Sequence, residues 1–300
     1  MQKTLFVILF LACVSALSAQ ITQKSNVYLF DLNQYDDTTF QLSKPRYLTA
    51  FNANGYNNHP AFFNEDTLLL SVQMPGDQQP ELYLFDLRNN AKTRVTQTTA
   101  GEYSPFSMED GFRFSAVRQE YGRADTTLRL WEFPIDRLND GRPVFKYFDN
   151  IGYYYWINSG LVAVFLVGNP NQLAIADTRT DKLTPVATNV GRCFRTLPNG
   201  NLAFVQKSTY ESWKLRQKKW YGSAANEQPE DIADTVSGAE DFVVLPDGSF
   251  IMGKGTRLFH LNPKSKDRTW REIADLRFYS INNISRLALS NDMKLVLVAD

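Results

Sequence analysis

The chain has 300 residues, 43% of them hydrophobic and 13% aromatic, and its 32 basic residues are matched by 32 acidic ones. The apolar share is enough to bury a sizeable core and excludes a disordered chain. The charge balance offers no whole-surface attraction for phosphate backbones or anionic lipid, so nucleic acid is not the expected partner.

Residues 1–19 differ in character from the rest of the chain. Gln2-Lys3 gives a positive start, Leu5 to Leu17 is almost wholly apolar, and Ser18-Ala19 supplies small residues for cleavage. This is the layout of a secretory signal peptide, cut after Ala19. It is too short for a comfortable membrane span, which sets a retained anchor behind cleavage. Lipid attachment at Cys13 ranks lower again, because Phe10-Leu11-Ala12-Cys13 fits a lipoprotein box poorly and the apolar run continues past it. The mature chain, residues 20–300, is then expected in the periplasm or outside the cell, as one domain with no membrane span. Cys193 is its sole thiol, so neither an internal disulfide nor a cysteine-based zinc site can form. A lone cysteine opening a strand reads as a small buried hydrophobe.

Next come two strands, Asn26 to Leu32 and Arg46 to Thr49, without partners before them. A hairpin pattern then recurs: an apolar strand, a polar turn, and a second apolar strand. Its turns are marked by Thr67, Gly111, Gly160, Gly200, Gly248 and Met293, spaced 40 to 49 residues apart. The Asp-Gly, Ser-Gly and Asn-Gly pairs provide the positive φ that tight hairpins need. Third strands follow at Glu81 to Leu87, Leu128 to Phe133, Gln172 to Asp177, Ser212 to Arg216 and Arg257 to Leu261, and more polar fourth strands at Thr93 to Thr96 and Trp270 to Ala274. Four strands per unit at this period signal propeller blades. Amphipathic runs long enough for a helical repeat are absent.

The sixth hairpin, Leu287 to Val298, has no third and fourth strands after it, whereas Asn26 to Leu32 nearly repeats Glu81 to Leu87. The predicted fold is therefore an all-β, six-bladed β-propeller of four-stranded antiparallel blades. One blade is closed by strands from both termini, so no blade is left incomplete.

Pro60-Ala61-Phe62 with Leu82-Tyr83-Leu84-Phe85-Asp86-Leu87, Ser104-Pro105-Phe106 with Asp110-Gly111, and Leu48-Thr49 resemble the repeat of the TolB-like propeller family of exported bacterial proteins. Later units keep Pro-Asn-Gly, Pro-Asp-Gly and the strand pattern. The resemblance spans residues 26–300 and implies the six-bladed fold. Members of that family serve as partner-binding modules, surface proteins and peptidase lids, so fold does not fix function here.

In a propeller the first strand of each blade lines the axis. The residues opening those strands, His59, Ser104, Tyr153 or Tyr154, Arg192, Glu240, Asp241 and Arg286, form a candidate ligand-binding mouth of mixed charge. His59 invites a metal or a titration role, but His260 belongs to a third strand, far from the axis, and Glu240 and Asp241 point to opposite faces if both lie on a strand. No metal, cofactor or catalytic residue is therefore expected. Nothing resembles a nucleophile elbow, a phosphate loop or a readable carboxylate pair. Two inserts interrupt the pattern: a charged loop at Arg118 to Asp125, and Lys214 to Asp234, whose Lys218, Lys219, Trp220 and Tyr221 form a candidate partner patch or a hairpin folded back on its blade. The expected function is that of an exported, monomeric, non-catalytic binding module for a protein, peptide or small polar ligand. The alternative is a propeller-type hydrolase or lyase, lactonase-like or glycosidase-like, using the same funnel.

Overall fold

The computed structural model describes residues 23–122, 125–137, 139–208, 212–222 and 227–300; the proposed signal peptide and Cys13 lie outside them. The chain forms six four-stranded antiparallel sheets. The first blade contains β3 (Tyr56–Asn64), β4 (Thr67–Gln73), β5 (Glu81–Asp86) and β6 (Lys92–Arg94); the second, β7 (Gly101–Ser107), β8 (Arg113–Tyr121), β9 (Thr126–Pro134) and β10 (Arg142–Pro143). The third runs β11 (Ile151–Asn158), β12 (Leu161–Leu166), β13 (Gln172–Asp177) and β14 (Lys182–Thr188); the fourth, β15 (Val190–Thr196), β16 (Leu202–Gln206), β17 (Lys214–Lys218) and β18 (Glu230–Asp234). The fifth holds β19 (Phe242–Val244), β20 (Phe250–Lys254), β21 (Arg257–Leu261) and β22 (Arg271–Asp275). The sixth joins β23 (Ile284–Leu289) and β24 (Lys294–Ala299) to β1 (Asn26–Gln34) and β2 (Phe40–Tyr47), in the order β2-β1-β24-β23. Asn26 pairs with Ala299 and Asp31 with Lys294, so the ring closes through a ladder between chain ends, as the sequence predicts.

The second strand of each blade explains how the sheets stack. Side chains alternate between the two faces of a strand, and here both faces are covered, so these strands are almost continuously apolar. In β4, Leu68, Leu70 and Val72 pack toward the sixth blade, while Leu69 packs toward the second. In β24, Leu295 and Leu297 face the fifth blade and Val296 and Val298 the first. In β16, Leu202 and Phe204 meet the third blade and Ala203 and Val205 the fifth. The buried hydrophobic residues consequently fall into six clusters, one at each boundary between neighbouring blades. Polar exceptions are bonded: Ser115 of β8 meets the Tyr154 hydroxyl at 2.9 Å and accepts the Trp156 indole N–H at 2.9 Å.

The first half of the predicted charged loop at Arg118 to Asp125 is strand, and residues 123–124 of it lie outside the described residues. β8 continues to Tyr121, and Arg118 is buried, donating to Glu102 Oε1 at 2.9 Å and lying over the Trp131 ring at 4.0 Å. Its charge reads as solvated in the sequence because Glu102, its partner, sits on a different strand. The third strand of the fourth blade begins at Lys214, two residues later than predicted.

A buried ionic seam joins the first two blades. Arg94 pairs with Glu81 at 2.9 Å, and Glu102 accepts from Arg118 and from the Thr98 hydroxyl at 2.7 Å. Both carboxyls are fully buried, and Oε2 of each has no donor. A proton carried by Glu102 and directed to Glu81 would satisfy both oxygens. In keeping with this, burial pushes the Glu102 carboxyl up to about 8, and the neighbouring Glu81 adds to the effect.

Folding raises the affinity of Glu102 for its proton, so the contribution of the seam is complete in acid below the ordinary carboxyl range. It is lost as pH rises toward about 8. Glu102→Gln keeps the acceptor for Arg118 and donates toward Glu81, so its melting temperature will fall less between pH 5 and 8 than that of the wild type, as thermal melts across that range will read. At Gly253, an added Cβ would collide with Ile284 Cγ2 across the boundary between the fifth and sixth blades. Gly253→Ala will therefore destabilise the fold by about 1–3 kcal/mol in a denaturant titration.

Candidate functional site

The inner strands β3, β7, β11, β15, β19 and β23 surround an axial cavity of about 460 Å³. Five of the six approach it through an irregularity. The strand register shifts at Asn58/Ala61, Tyr103/Phe106, Ile151/Tyr153, Val190/Phe194 and Ser285, between Ile284 and Arg286. In the fifth blade, Glu240 and Asp241 simply precede β19. Bulges release side chains from ladder geometry and re-aim them. The released segments hold His59, Ser104 and Arg192, whereas Tyr154 and Arg286 are back in the ladder, opposite Val164 and Val298. His59 and Ser104 are the extreme cases, left-handed at φ 53° and 52° although each precedes a proline, an arrangement that the proline ring opposes.

Six of the seven predicted mouth residues, His59, Ser104, Tyr154, Arg192, Asp241 and Arg286, line the cavity. Glu240 stands behind Arg192, with its carboxylate 3.3 Å from Arg192 and 2.6 Å from Lys207. Burial alone would raise Glu240, but the two cations outweigh it and hold the carboxyl below its ordinary range. Tyr154 presents its hydroxyl away from the axis, to Ser115 in the boundary with the second blade. Its neighbours Tyr153 and Tyr155 also line the cavity.

Asp241 organises one side. It accepts the Leu287 N–H at 2.8 Å and lies 3.8 Å from Arg286 and 4.0 Å from Arg192. Arg286 donates to Asn58 Oδ1 at 2.9 Å and to the Tyr153 hydroxyl at 3.3 Å. Asn58 Oδ1 also accepts the His59 backbone N–H at 2.8 Å, tying the strained residue to the arginine. Sequence reasoning misses Arg195, which lines the same cavity and donates only to the carbonyls of Phe194 and Leu287. The one signal for it is spacing: Arg195 lies three residues after Arg192, across the β15 bulge.

His59 is buried against Tyr56, Tyr103 and Tyr153, with Nδ1 3.2 Å from the Tyr56 hydroxyl. Burial, reinforced by Arg286 and Arg192, holds its pKa well below the usual histidine value, so the ring is neutral. Burial also pushes the Cys193 thiol up to about 12, and its sulfur lies 3.2 Å from the Phe242 carbonyl. As the sequence suggests, Cys193 packs as a hydrophobe, though at the cavity wall. Among the described residues, no group of three or more His, Cys, Asp or Glu side chains is placed to hold a metal ion.

The predicted partner patch does not stay together. Lys218 ends β17 and is buried, with Nζ bonded to the Glu227 carbonyl. Trp220 folds back onto the blade, its indole N–H donating to Gly200 O at 2.9 Å. Lys219 and Tyr221 remain exposed. Part of this insert, residues 223–226, lies outside the described residues. His260 packs against Phe40 with the rings tilted by 48° and their centroids 4.5 Å apart, in the third strand of its blade.

Six closed sheets around an axial cavity define a six-bladed β-propeller. Within that class the fold is similar to TolB. A protein assigned as TolB from Agrobacterium tumefaciens matches with a TM-score of 0.65 at 12% identity, over 93% of this chain and 98% of that one. TolB from Acinetobacter baumannii matches with a TM-score of 0.56 at 12% identity, over 92% of this chain; the chain spans 64% of that protein's length. A gluconolactonase from Xanthomonas campestris matches with a TM-score of 0.58 at 11% identity, over 82% of this chain and 86% of that one. No family model matches the sequence, and no curated protein does. The resemblance read from the repeats thus holds at the level of the fold. Among the described residues, no helix is long and apolar enough to cross a membrane.

The enclosure of His59 yields a direct measurement. Its imidazole will remain neutral between about pH 8 and 5, whereas an exposed histidine gains its proton in that interval. Long-range proton–nitrogen NMR correlation will show this, and a midpoint near 6.5 would contradict the buried placement.

Proposed function

We propose that the protein is an exported, non-catalytic binding module that recognises a protein, a peptide or a small polar ligand at the axial cavity. The observation that carries this reading is the cavity wall: a volume of about 460 Å³ within the range of ligand sites, flanked by three guanidiniums, tyrosine rings and a neutral imidazole. Export rests on the signal-peptide layout of residues 1–19 and accords with the likeness to TolB. A hydrolase or lyase acting in the same funnel is the competing reading, favoured by the shared fold of the gluconolactonase.

The test is affinity capture from cell-envelope extract with the wild type, the Arg192→Ala/Asp241→Ala double variant and the Lys219→Ala/Tyr221→Ala double variant. The expected result is a partner retained by the second variant and lost from the first, with cavity-dependent binding read by quantitative mass spectrometry. Loss only from the Lys219 variant would move the site to the edge of the fourth blade. Capture of nothing, together with turnover of a sugar lactone, would replace binding with catalysis.

A further inference from the structure

Charge around the cavity is unbalanced. Arg192, Arg286 and Lys207 share the carboxylates of Glu240 and Asp241. Arg195 has no carboxylate within ion-pair distance among the described residues, and its donors meet only main-chain carbonyls. Four cations therefore stand against two anions at this end of the cavity. The carboxylate of Glu65 belongs to the β3–β4 turn at the opposite end. A half-buried guanidinium bonded only to carbonyls keeps its full charge in a setting where an anion is strongly attracted.

A second, independent observation comes from the same wall. His59 Nε2 and Ser104 Oγ are buried polar atoms without a partner among the described residues, and both residues line the cavity. They occupy equivalent positions on adjacent blades, each left-handed, each followed by proline, each at a bulge. Backbone strain of this kind is retained where the surroundings hold a side chain in a required direction. The tautomer of His59 follows from its partners. When the Tyr56 hydroxyl donates to Nδ1, the proton sits on Nε2, and one unmatched donor remains. The opposite assignment leaves both the Tyr56 proton and Nε2 unmatched. Two neutral donors, Nε2–H and the Ser104 hydroxyl, are then left unmatched within the wall of a cavity that also has a surplus of guanidinium charge.

Resting on the reading of the cavity as a binding site, we propose that its ligand class is a carboxylate borne on a flat apolar body. Arg195 and Arg286 supply the charge, and His59 and Ser104 supply neutral hydrogen bonds. Guanidinium and carboxylate match in geometry as well as in sign. The rings of Phe62, Phe106, Tyr153 and Tyr155 on the same wall suit the body that carries the acid. The carboxylate can come from a free organic acid or from the C-terminus of a peptide, and the two are separable.

The experiment titrates the mature protein, followed by isotope-edited NMR of the cavity tyrosines, with 3-phenylpropionate and with the tripeptide Gly-Gly-Phe, each against its amide. The acid of at least one pair is expected to bind ten or more times tighter than its amide. The pair that shows the preference identifies the source. Arg195→Gln is expected to remove most of that preference, Arg195→Lys to restore part of it, and Ser104→Ala to weaken acid binding several-fold, all with unchanged strand signals. A variant that loses the strand signals is replaced in the comparison by the acid–amide ratio of the wild type at raised salt, which should shrink. Equal binding of acid and amide would overturn the charge assignment while leaving the cavity as a binding site. Binding of none of the four probes, with envelope capture still dependent on Arg192 and Asp241, would overturn this proposal alone. Loss of that dependence as well would remove both readings.

Discussion

Sheet-on-sheet apolar contact at six boundaries is the interaction on which everything else in this molecule depends. Each blade is too thin to have an interior of its own. Its second strand must bury both faces, and does so by dividing its side chains between two neighbours, as Leu69 and Leu70 of β4 do. With the larger clusters placed around the middle strands, the inner strands reach the axis without filling it. The cavity is thus a by-product of packing geometry, and its chemistry is set by whatever side chains the inner strands release there.

The bulges turn that empty space into a site. A regular ladder would direct alternate side chains into the neighbouring boundaries, as it does with Tyr154. The register shifts at His59, Ser104 and Arg192 free these residues from that alternation, and the shift at Ser285 immediately precedes Arg286. The resulting wall holds arginine charge beside an imidazole kept neutral by burial and, in addition, by the same arginines. One carboxylate, Asp241, keeps two guanidiniums within 4.0 Å while fixing the middle of β23 through the Leu287 N–H.

The architecture is legible in the sequence because it repeats. The Asp-Gly and Asn-Gly turns, the doubly apolar second strands and the likeness of Asn26 to Leu32 with Glu81 to Leu87 are local patterns, and local patterns survive in a string of letters. The mouth residues are legible for the same reason, since the start of each first strand can be located. Pairing between strands and across turns cannot be read in this way. Arg118 resembles a loop charge because Glu102 is on another strand, and Lys218 resembles an exposed one because its carbonyl partner, Glu227, lies beyond the turn. Arg195 escapes notice because a bulge, which leaves no mark on composition, brings it to the same wall as Arg192. Tyr153 and Tyr154 cannot be separated without the register of β11.

The ladder between β1 and β24 has a kinetic consequence. Its partners, Asn26 and Ala299, lie at opposite ends of the described chain, so closing the sixth blade must overcome nearly the largest loop entropy this chain can present. Five blades can assemble from neighbouring segments alone, but the ring remains open, with β1 as an unpaired edge, until residues 294–299 dock. The chain short of that step is accordingly a sticky one, and its passage to the finished state is a single late latch.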